Sequence, residues 1–458
     1  MTTRHPRSRP AYRCGDCGWE TAKWVGRCGE CQAWGTVDEV GATRARTAPV
    51  TPVGNPARPI AEVDVESARA VPTGVDELDR VLGGGLVPGA VVLVAGEPGV
   101  GKSTLLLDVA SRAAQHGRTV LYVTAEESAA QVRLRAERIG ALRPRLLLAA
   151  ETDLGSVLGH VDQVSPDLLV VDSVQTVSSA DVDGAAGNVS QVREVAAALI
   201  RVAKEKNVAT LLVGHVTKDG SIAGPRVLEH LVDVVCQFEG DRHSRLRLVR
   251  AVKNRYGPTD EVGCFDLSDV GITGLPDPSG LFLSRHEAPM PGTCVTVTLE
   301  GRRPLVAEVQ ALVAPSTAAN PRRAVSGLDS ARVAMVVAVM TRRARLALVG
   351  QDVYVATVGG VRLAEPAADL ATALALAGAV MDRPLASGTV AFGEVGLAGE
   401  VRPVTGLQRR LAEAARLGFS AAVVPRGAVD GLPAPDGMRV VEVADVPSAL
   451  RQARLHAL

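Results

Sequence analysis

The sequence contains a complete phosphate-binding loop between an apolar run and a helical run. The loop matches the pattern Gly-x-x-x-x-Gly-Lys-Ser/Thr in full. It follows Val-Val-Leu-Val-Ala and precedes Leu-Leu-Leu-Asp-Val-Ala, which is the strand–loop–helix context that the pattern requires. Its residues are Gly96, Glu97, Pro98, Gly99, Val100, Gly101, Lys102, Ser103 and Thr104. The sequence therefore predicts a nucleotide site in an α/β fold with a parallel sheet.

The residues of this loop suggest how it would bind ATP and Mg²⁺. The glycines let backbone amides turn towards the β-phosphate, and the helix start adds a partial positive charge. We expect Lys102 to contact the β- and γ-phosphates and the Ser103 hydroxyl to ligate Mg²⁺. A second Mg²⁺ anchor is expected at Asp172, which ends the run Asp-Leu-Leu-Val-Val-Asp. Such a buried strand delivers its last residue to the sheet edge where ligands bind.

Two adjacent carboxylates, Glu126 and Glu127, are candidates for the general base. They follow the run Thr-Val-Leu-Tyr-Val-Thr-Ala and so reach the same sheet edge. One of them could orient water against the γ-phosphate while the other faces the next helix, and we assign the base to Glu126. In the alternative interpretation both carboxylates only favour the start of that helix electrostatically.

Length and patterning divide the chain into several parts. Its 458 residues exceed what one hydrophobic core usually supports. The formal net charge is zero, so contacts with DNA would need local clusters of Lys and Arg. The chain has neither a secretory leader nor an apolar run long enough to span a bilayer, so we expect a cytoplasmic protein without a membrane partner. The expected parts are a zinc module at 1–40, a linker at 41–60, an ATPase core at 61–275, a connecting segment at 276–330 and a last domain at 331–458.

Four of the seven cysteines lie in the first 31 positions as two Cys-x-x-Cys pairs separated by ten residues. They are Cys14, Cys17, Cys28 and Cys31. Two such pairs can present four thiolates to one tetrahedral Zn²⁺, and a module this short needs metal to fold. A redox role is the alternative. The three tryptophans of the chain, Trp19, Trp24 and Trp34, either cover the metal site or contact bases or a partner.

Several stretches together resemble the bacterial RadA (Sms) family of DNA repair proteins over essentially the full length. Besides the cysteines and the phosphate loop, they are Tyr-Val-Thr-Ala-Glu-Glu-Ser, Leu-Leu-Val-Val-Asp-Ser-Val-Gln-Thr, Gly-His-Val-Thr-Lys-Asp-Gly and Val-Lys-Asn-Arg-Tyr-Gly. The resemblance implies a RecA-like ATPase core between a C4 zinc finger and a Lon-protease-like α+β domain. It also implies a DNA-dependent ATPase that translocates on single-stranded DNA as a hexameric ring. Its expected role is branch migration and processing of branched recombination intermediates alongside RecA.

The resemblance also implies roles for individual residues. Lys253 and Arg255, in a motif where the family has Phe at Tyr256, would reach the nucleotide and the DNA of a neighbouring subunit. From turn composition alone this motif is a charged β-turn. His215 would sense the γ-phosphate, or it is an ordinary strand-end histidine. Lys218 and Arg226 lie in the loop that follows, which would contact single-stranded DNA or is simply solvated.

The last domain lacks the Ser–Lys dyad of Lon-type proteases. Ala367 stands where the serine is expected, and Gln408 where the lysine is expected. Because a methyl group cannot attack a carbonyl, we expect no peptidase activity. The domain would instead assemble the ring and, through Arg402, Arg409 and Arg410, offer DNA a basic surface; the alternative is a solvated helix face.

Another function class remains compatible with the ATPase motifs. A RecA-superfamily ATPase could switch between protein partners without acting on DNA. The zinc module and the Lys-Asn-Arg-Tyr-Gly motif favour the DNA motor.

Overall fold

The computed structural model describes residues 12–39, 59–62, 68–215, 227–240, 245–284, 288–318, 320–429 and 433–453. The chain divides into two units, one up to Asp64 and one from Val65 onwards. The first unit holds β1 (Tyr12–Cys14), β2 (Glu20–Thr21) and β3 (Val37–Glu39), paired antiparallel in the order β2-β1-β3. Its buried residues are Cys14, Cys28 and Val37. A core this small cannot hold a fold by hydrophobic burial alone.

The second unit begins with a nine-stranded sheet. Its order is β12-β11-β10-β9-β4-β8-β7-β5-β6, and the six strands from β4 to β9 run parallel to one another. The three later strands add antiparallel at one side. The bounds are β4 (Val91–Gly96), β5 (Val120–Thr124), β6 (Leu146–Ala150), β7 (Leu168–Asp172), β8 (Ala209–His215), β9 (Val234–Glu239), β10 (Leu246–Asn254), β11 (Val262–Ser268) and β12 (Gly271–Gly274).

Helices cover both faces of this sheet, as the near-continuous apolar runs of its central strands require. Along β4, Val92 and Val94 pack with one set of helices, while Val91 and Leu93 pack with the other. The first set is α1 (Asp76–Leu82), α2 (Lys102–Gln115) and α3 (Ala129–Arg138); the second is α4 (Leu154–Val164) and α5 (Val189–Lys206). The predicted α/β class with a parallel sheet is confirmed.

A seven-stranded mixed sheet forms the rest of the second unit, in the order β15-β16-β14-β13-β17-β20-β21. The helices α6, α7 and α9 pack on one face and α8 on the other. None of the helices in the described part of the chain is both long and apolar enough to cross a bilayer. The bounds are β13 (Thr293–Glu300), β14 (Arg303–Pro315), β15 (Arg323–Ser326), α6 (Ser330–Arg342), β16 (Gln351–Thr357), α7 (Asp369–Met381), β17 (Thr389–Ala391), β18 (Glu394–Val395), β19 (Val401–Arg402), α8 (Leu407–Arg416), β20 (Ala421–Pro425), β21 (Arg439–Val443) and α9 (Val446–Gln452).

The segment expected to connect the two sheets is itself part of the second sheet. Residues 276–330 supply β13, β14 and β15, so this sheet begins at Thr293 rather than after residue 330. The alternating run Thr-Cys-Val-Thr-Val-Thr-Leu-Glu is the signal for the first of these strands. The Gly and Pro residues around it are typical of loops instead.

A buried ion pair joins helix α1, which packs on the first sheet, to strand β14 of the second sheet. Arg303, at the start of β14, forms a salt bridge with Glu77 of α1, and the two residues are only 7% and 1% exposed. The same guanidinium donates to the carbonyls of Val262 at 3.0 Å and Pro276 at 2.7 Å. Glu77 also accepts from the Cys264 amide at 2.8 Å. Both charges are therefore satisfied by several partners, which a buried pair requires.

We expect Arg303→Met to lower the free energy of unfolding by about 3 kcal/mol, because it leaves the Glu77 carboxylate buried without its cation. Urea unfolding followed by circular dichroism measures this. Arg302→Met is the matched control, since Arg302 pairs with Asp260 while both side chains are about half exposed. The loss of unfolding free energy in Arg302→Met should stay within about 1 kcal/mol. Equal losses for the two variants would contradict the role given to the buried pair.

Candidate nucleotide site and zinc module

The phosphate loop leaves β4 at Gly96 and enters α2 at Lys102. Gly101 has a φ of +113°, which a residue with a Cβ rarely adopts. A Cβ on Gly96 would lie 2.5 Å from the carbonyl oxygen of Phe238 on the neighbouring strand. Both glycines are therefore required by the backbone itself. The structure places the predicted loop residues 96–104 together at the end of β4.

Lys102 is folded into the loop. Its side chain is buried, and Nζ donates to the carbonyls of Gly96 at 2.8 Å and Glu97 at 2.9 Å. Burial lowers the pKa of Lys102 to about 8, and the negative charges of Asp172 and Glu126 oppose that shift. A bound triphosphate would replace these two carbonyls as the partner of the ammonium group.

Asp172 ends β7 at the same sheet edge and is 8% exposed. The hydroxyl of Tyr122, on the neighbouring strand β5, donates to Asp172 Oδ2 at 2.7 Å. Burial and the negative charge of Asp172 raise the pKa of Tyr122 well above its usual range, so the hydroxyl remains a donor. One carboxylate oxygen is thus held by protein, and the residue stands where the sequence predicts a metal ligand.

The two adjacent glutamates have different partners. Ser173 Oγ donates to Glu126 Oε1 at 2.5 Å, and His215 Nε2 lies 3.1 Å from the same oxygen. His215, Ser173 and the charge of Lys102 hold the pKa of Glu126 below its usual range despite burial. Glu127 instead forms a 2.6 Å salt bridge with Arg135 of α3. Glu126 therefore faces the strand ends, while its neighbour is tied to a helix.

His215 ends β8 directly beside the loop, in register with Gly96. Gln175 holds its backbone on both sides: the His215 amide donates to Oε1 at 3.0 Å, and Nε2 donates to the His215 carbonyl at 3.0 Å. His215 therefore lies next to both Glu126 and the phosphate loop. The candidate DNA contacts Lys218 and Arg226 lie outside the described residues.

Lys253 and Arg255 lie at the opposite edge of the sheet. Lys253 pairs with Val235 of β9, which in turn pairs with Leu93 near the start of β4. Gly96 is three residues further along β4. Lys253 therefore lies roughly 10 Å, measured along the strand direction, from the end of β4 where the phosphate loop begins. Lys253 Nζ donates to the carbonyls of Glu229 at 2.7 Å and Val232 at 2.8 Å.

The buried carboxylate of Asp233 anchors this turn. It lies 3.3 Å from Arg255 Nη1 and 2.7 Å from Lys204 Nζ, and it accepts the Val91 amide at 2.9 Å. Arg255 keeps 56% of its side chain exposed at the surface. The structure therefore does not bring these two cations to the chain's own phosphate loop.

Sequence reasoning missed Arg247, which supports the phosphate loop from behind. This residue of β10 is 7% exposed, and Nε donates to the Val100 carbonyl at 3.1 Å. A Cβ on Gly240 would lie 2.3 Å from Arg247 Cδ, so that glycine makes room for the arginine stem. This hydrogen bond would hold the Val100 carbonyl away from bound phosphates, so that the neighbouring amides could face them. No local pattern marks this contact, because 147 residues separate its two partners.

The four clustered cysteines converge as the zinc prediction requires. All four Sγ atoms lie within 4.8 Å of one another, with 3.7 Å between Cys14 and Cys31 and 3.5 Å between Cys17 and Cys28. A tetrahedral site with Zn–S bonds of about 2.3 Å places its sulfurs about 3.8 Å apart. A hydrogen bond from Thr36 contributes most to lowering the pKa of Cys14 to about 6. The donor set therefore fits one Zn²⁺.

The three tryptophans separate into two roles. The Trp19 ring packs in the small core, where a Cβ on Gly29 would lie 2.8 Å from it. Trp24 and Trp34 are 65% and 75% exposed, and the Arg27 guanidinium lies 5.7 Å from the centre of the Trp34 ring. Only the first of the three covers the cysteines.

An ion pair joins the two segments in which a Lon-type dyad would lie. Ala367 is buried in the turn before α7, and Gln408 is exposed in the first turn of α8. Glu365 and Arg410, from the same two segments, form a bidentate pair with both N–O distances at 2.7 Å.

This ion pair corrects one expectation about DNA contacts. Arg410 is fully buried, so it cannot belong to a basic surface as the sequence suggested. Arg402 is exposed but paired with Glu400, and Arg409 is exposed on α8.

Family models match three parts of the chain. Residues 56–221 match an AAA domain, residues 12–39 a rubredoxin metal binding domain, and residues 359–428 the subunit ChlI of Mg-chelatase.

Curated proteins match almost the whole length. The DNA repair protein RadA of Mycobacterium tuberculosis is 56% identical over 97% of this chain and 93% of its own. The protein of that name from Mycolicibacterium smegmatis is 56% identical over 97% of both chains. The one from Streptococcus pyogenes is 45% identical over 97% of this chain and 99% of its own. A solved KaiC-like protein of Pyrococcus horikoshii covers 46% of this chain at 22% identity, with a TM-score of 0.38.

We expect Arg247→Met to raise the KM for ATP roughly tenfold with a smaller change in kcat, because a misaligned loop weakens ground state and transition state alike. Steady-state ATP turnover measures both constants. Arg247→Lys should recover part of the affinity, since one donor returns.

Arg245→Met is the matched control for this prediction. Arg245 lies two residues earlier and pairs with Asp266 at the surface, so its loss should leave the KM unchanged. A normal KM in the Arg247→Met protein would show that the loop needs no such support.

Proposed function

The chain belongs to the RadA family of DNA repair proteins, and from that membership we propose that it is a DNA-dependent ATPase that translocates on single-stranded DNA. In this role it promotes branch migration and processes recombination intermediates alongside the RecA recombinase. The observation that supports it most is the division of the catalytic groups between opposite edges of one parallel sheet. Glu126, Lys102 and Asp172 lie at one edge, and Lys253 and Arg255 at the other.

Within one subunit, each residue has a distinct task. The amides of residues 96–104 bind the phosphates of ATP, and Lys102 exchanges its two carbonyl partners for the β- and γ-phosphates. Mg²⁺, held by Ser103 and Asp172, would neutralise charge on those phosphates. Glu126, whose pKa stays below its usual range despite burial, is anionic at neutral pH and accepts a proton from the attacking water.

The neighbouring subunit completes this site. Since Lys253 and Arg255 lie roughly 10 Å of strand away from their own phosphate loop, they act on the nucleotide of the next copy. There their positive charges stabilise the charge that develops on the transferred phosphoryl group. Copies that meet head to tail in this way form a closed ring, which we propose is a hexamer.

Hydrolysis is coupled to DNA through His215. It lies 3.1 Å from Glu126 and is in register with Gly96, so loss of the γ-phosphate changes its surroundings directly. The segment that follows it carries Lys218 and Arg226, which we propose contact the DNA backbone without sequence preference. The Cys14, Cys17, Cys28 and Cys31 thiolates bind Zn²⁺ and fold the first module.

The second sheet serves assembly rather than peptide cleavage. Its turn at Ala367 and its helix start at Gln408 offer no nucleophile and no base. Arg410 ties the two segments together through Glu365.

Single-stranded DNA should increase the ATP turnover of the zinc-loaded protein several-fold, and Lys102→Ala should abolish turnover with and without DNA because the phosphates lose their cation. A coupled phosphate-release assay measures both rates. An equal rate with and without any polynucleotide would favour an ATPase that switches protein partners instead.

Completion of the site by a neighbour predicts rescue between two inactive variants. Lys253→Ala should bind ATP normally but hydrolyse it slowly. Co-expressed with Lys102→Ala under a second affinity tag, it should recover about a quarter of wild-type turnover, because about one interface in four then pairs two intact halves.

The control for this rescue places both substitutions in one chain. Co-expressed with Lys253→Ala, that double variant supplies no intact Lys253 and should restore nothing. Full turnover by Lys253→Ala alone would show that the Lys253 ammonium group takes no part in catalysis.

A further inference from the structure

A large apolar groove lies on the ATPase sheet between α3 and β6. Its cavity has a volume of about 730 Å³. Leu107 of α2 and the ring of Tyr122 form its floor, Val132 and Ala136 one wall, and Leu148 part of the other. The residues that line this groove include none from the phosphate loop or the Lys-Asn-Arg-Tyr-Gly turn.

Large apolar side chains are exposed around the groove. Leu142 is 49% exposed and Leu148 is 37% exposed, and both line the groove. Leu148 belongs to β6, which ends the nine-stranded sheet and pairs among the described strands only with β5. A strand edge that is both unpaired and apolar is a template for another strand.

The rim of the groove is positively charged. Arg133 of α3 and Arg143, in the segment that leads into β6, both line it. Within the described ranges neither forms a salt bridge, and Arg143 donates to the carbonyl of Leu142. The rim therefore presents two arginines that have no described ion-pair partner.

We propose that the α3–β6 groove binds an extended acidic segment of a partner protein, which adds to β6 as a further strand. Backbone pairing with β6 supplies orientation, and alternate apolar side chains enter the cavity. Carboxylates near the ends of the segment, where it leaves the strand pairing, then meet the arginines of the rim. Nucleic acid would satisfy the arginines but leave the leucines exposed, so the combination favours a peptide.

A synthetic peptide tests this groove on the full zinc-loaded chain. The probe is fluorescein-labelled Asp-Val-Glu-Phe-Asp-Val-Glu, and its matched control replaces every acidic residue with Lys. Fluorescence anisotropy should show saturable binding of the acidic peptide, at least about tenfold tighter than that of the Lys peptide.

Two variants localise the binding. Leu148→Glu places a charge in the cavity wall, and the double change Arg133→Glu with Arg143→Glu reverses the rim without touching buried atoms. Each should weaken the peptide at least about tenfold. Leu397→Glu, at a leucine 67% exposed in the second sheet's domain, is the control and should bind like the wild type.

Three outcomes would overturn the proposal. They are no saturable binding at millimolar peptide, equal binding of both peptides, and binding that neither variant weakens. Analytical sedimentation of the unlabelled protein tests whether a second copy of the chain occupies the groove instead. If Leu148→Glu dissociates an oligomer and the acidic peptide does not bind, the groove belongs to a second copy of the chain.

Discussion

The direction of six parallel strands is the constraint on which the rest of the structure depends. Because the strands run the same way, their last residues meet at one edge, which is how Gly96, Asp172 and His215 become neighbours. Strand β10 runs antiparallel to these strands and ends near their first residues, which places Lys253 and Arg255 there. Under the proposed function, each chain carries two halves of a catalytic centre that it cannot join by itself. That proposal requires an assembly in which the strand starts of one copy face the strand ends of another.

The short helix α1 links this arrangement to the second sheet. Near its first turn, Glu77 is paired with Arg303 of β14. At its other end, the Asn254 side chain donates to the carbonyls of Val81 and Leu82 at 3.4 and 3.3 Å. Asn254 lies between the two cations of the turn. The second domain and the turn that would face a neighbour are thus held by the same seven residues. This connection supports the assembly role proposed for the second domain.

The features that could be predicted from the sequence are those whose residues lie close together along the chain. The phosphate loop, the strand ending at Asp172 and the cysteine pairs are contiguous patterns whose chemistry fixes their geometry. The contacts that depend on distant partners carried no such signal. Arg247 supports Val100 across 147 residues, and Arg303 reaches Glu77 across 226. The assignment of Arg410 to a basic surface failed for the same reason, since its partner Glu365 lies 45 residues away.

The Glu365–Arg410 pair also joins the two segments in which the sequence lacks the expected Ser–Lys dyad. In a Lon-type site, the serine turn and the lysine helix must stay a short distance apart with reactive groups between them. Here the same two segments are joined directly, because the buried guanidinium donates to both carboxylate oxygens and to the carbonyls of Val297 and Thr405. The Arg410 pair lowers the pKa of Glu365 against the effect of burial, so the carboxylate stays charged and the bond persists at neutral pH. A charged pair with this many partners is costly to open, and restoring a serine and a lysine at positions 367 and 408 would not by itself recreate a cleft between them.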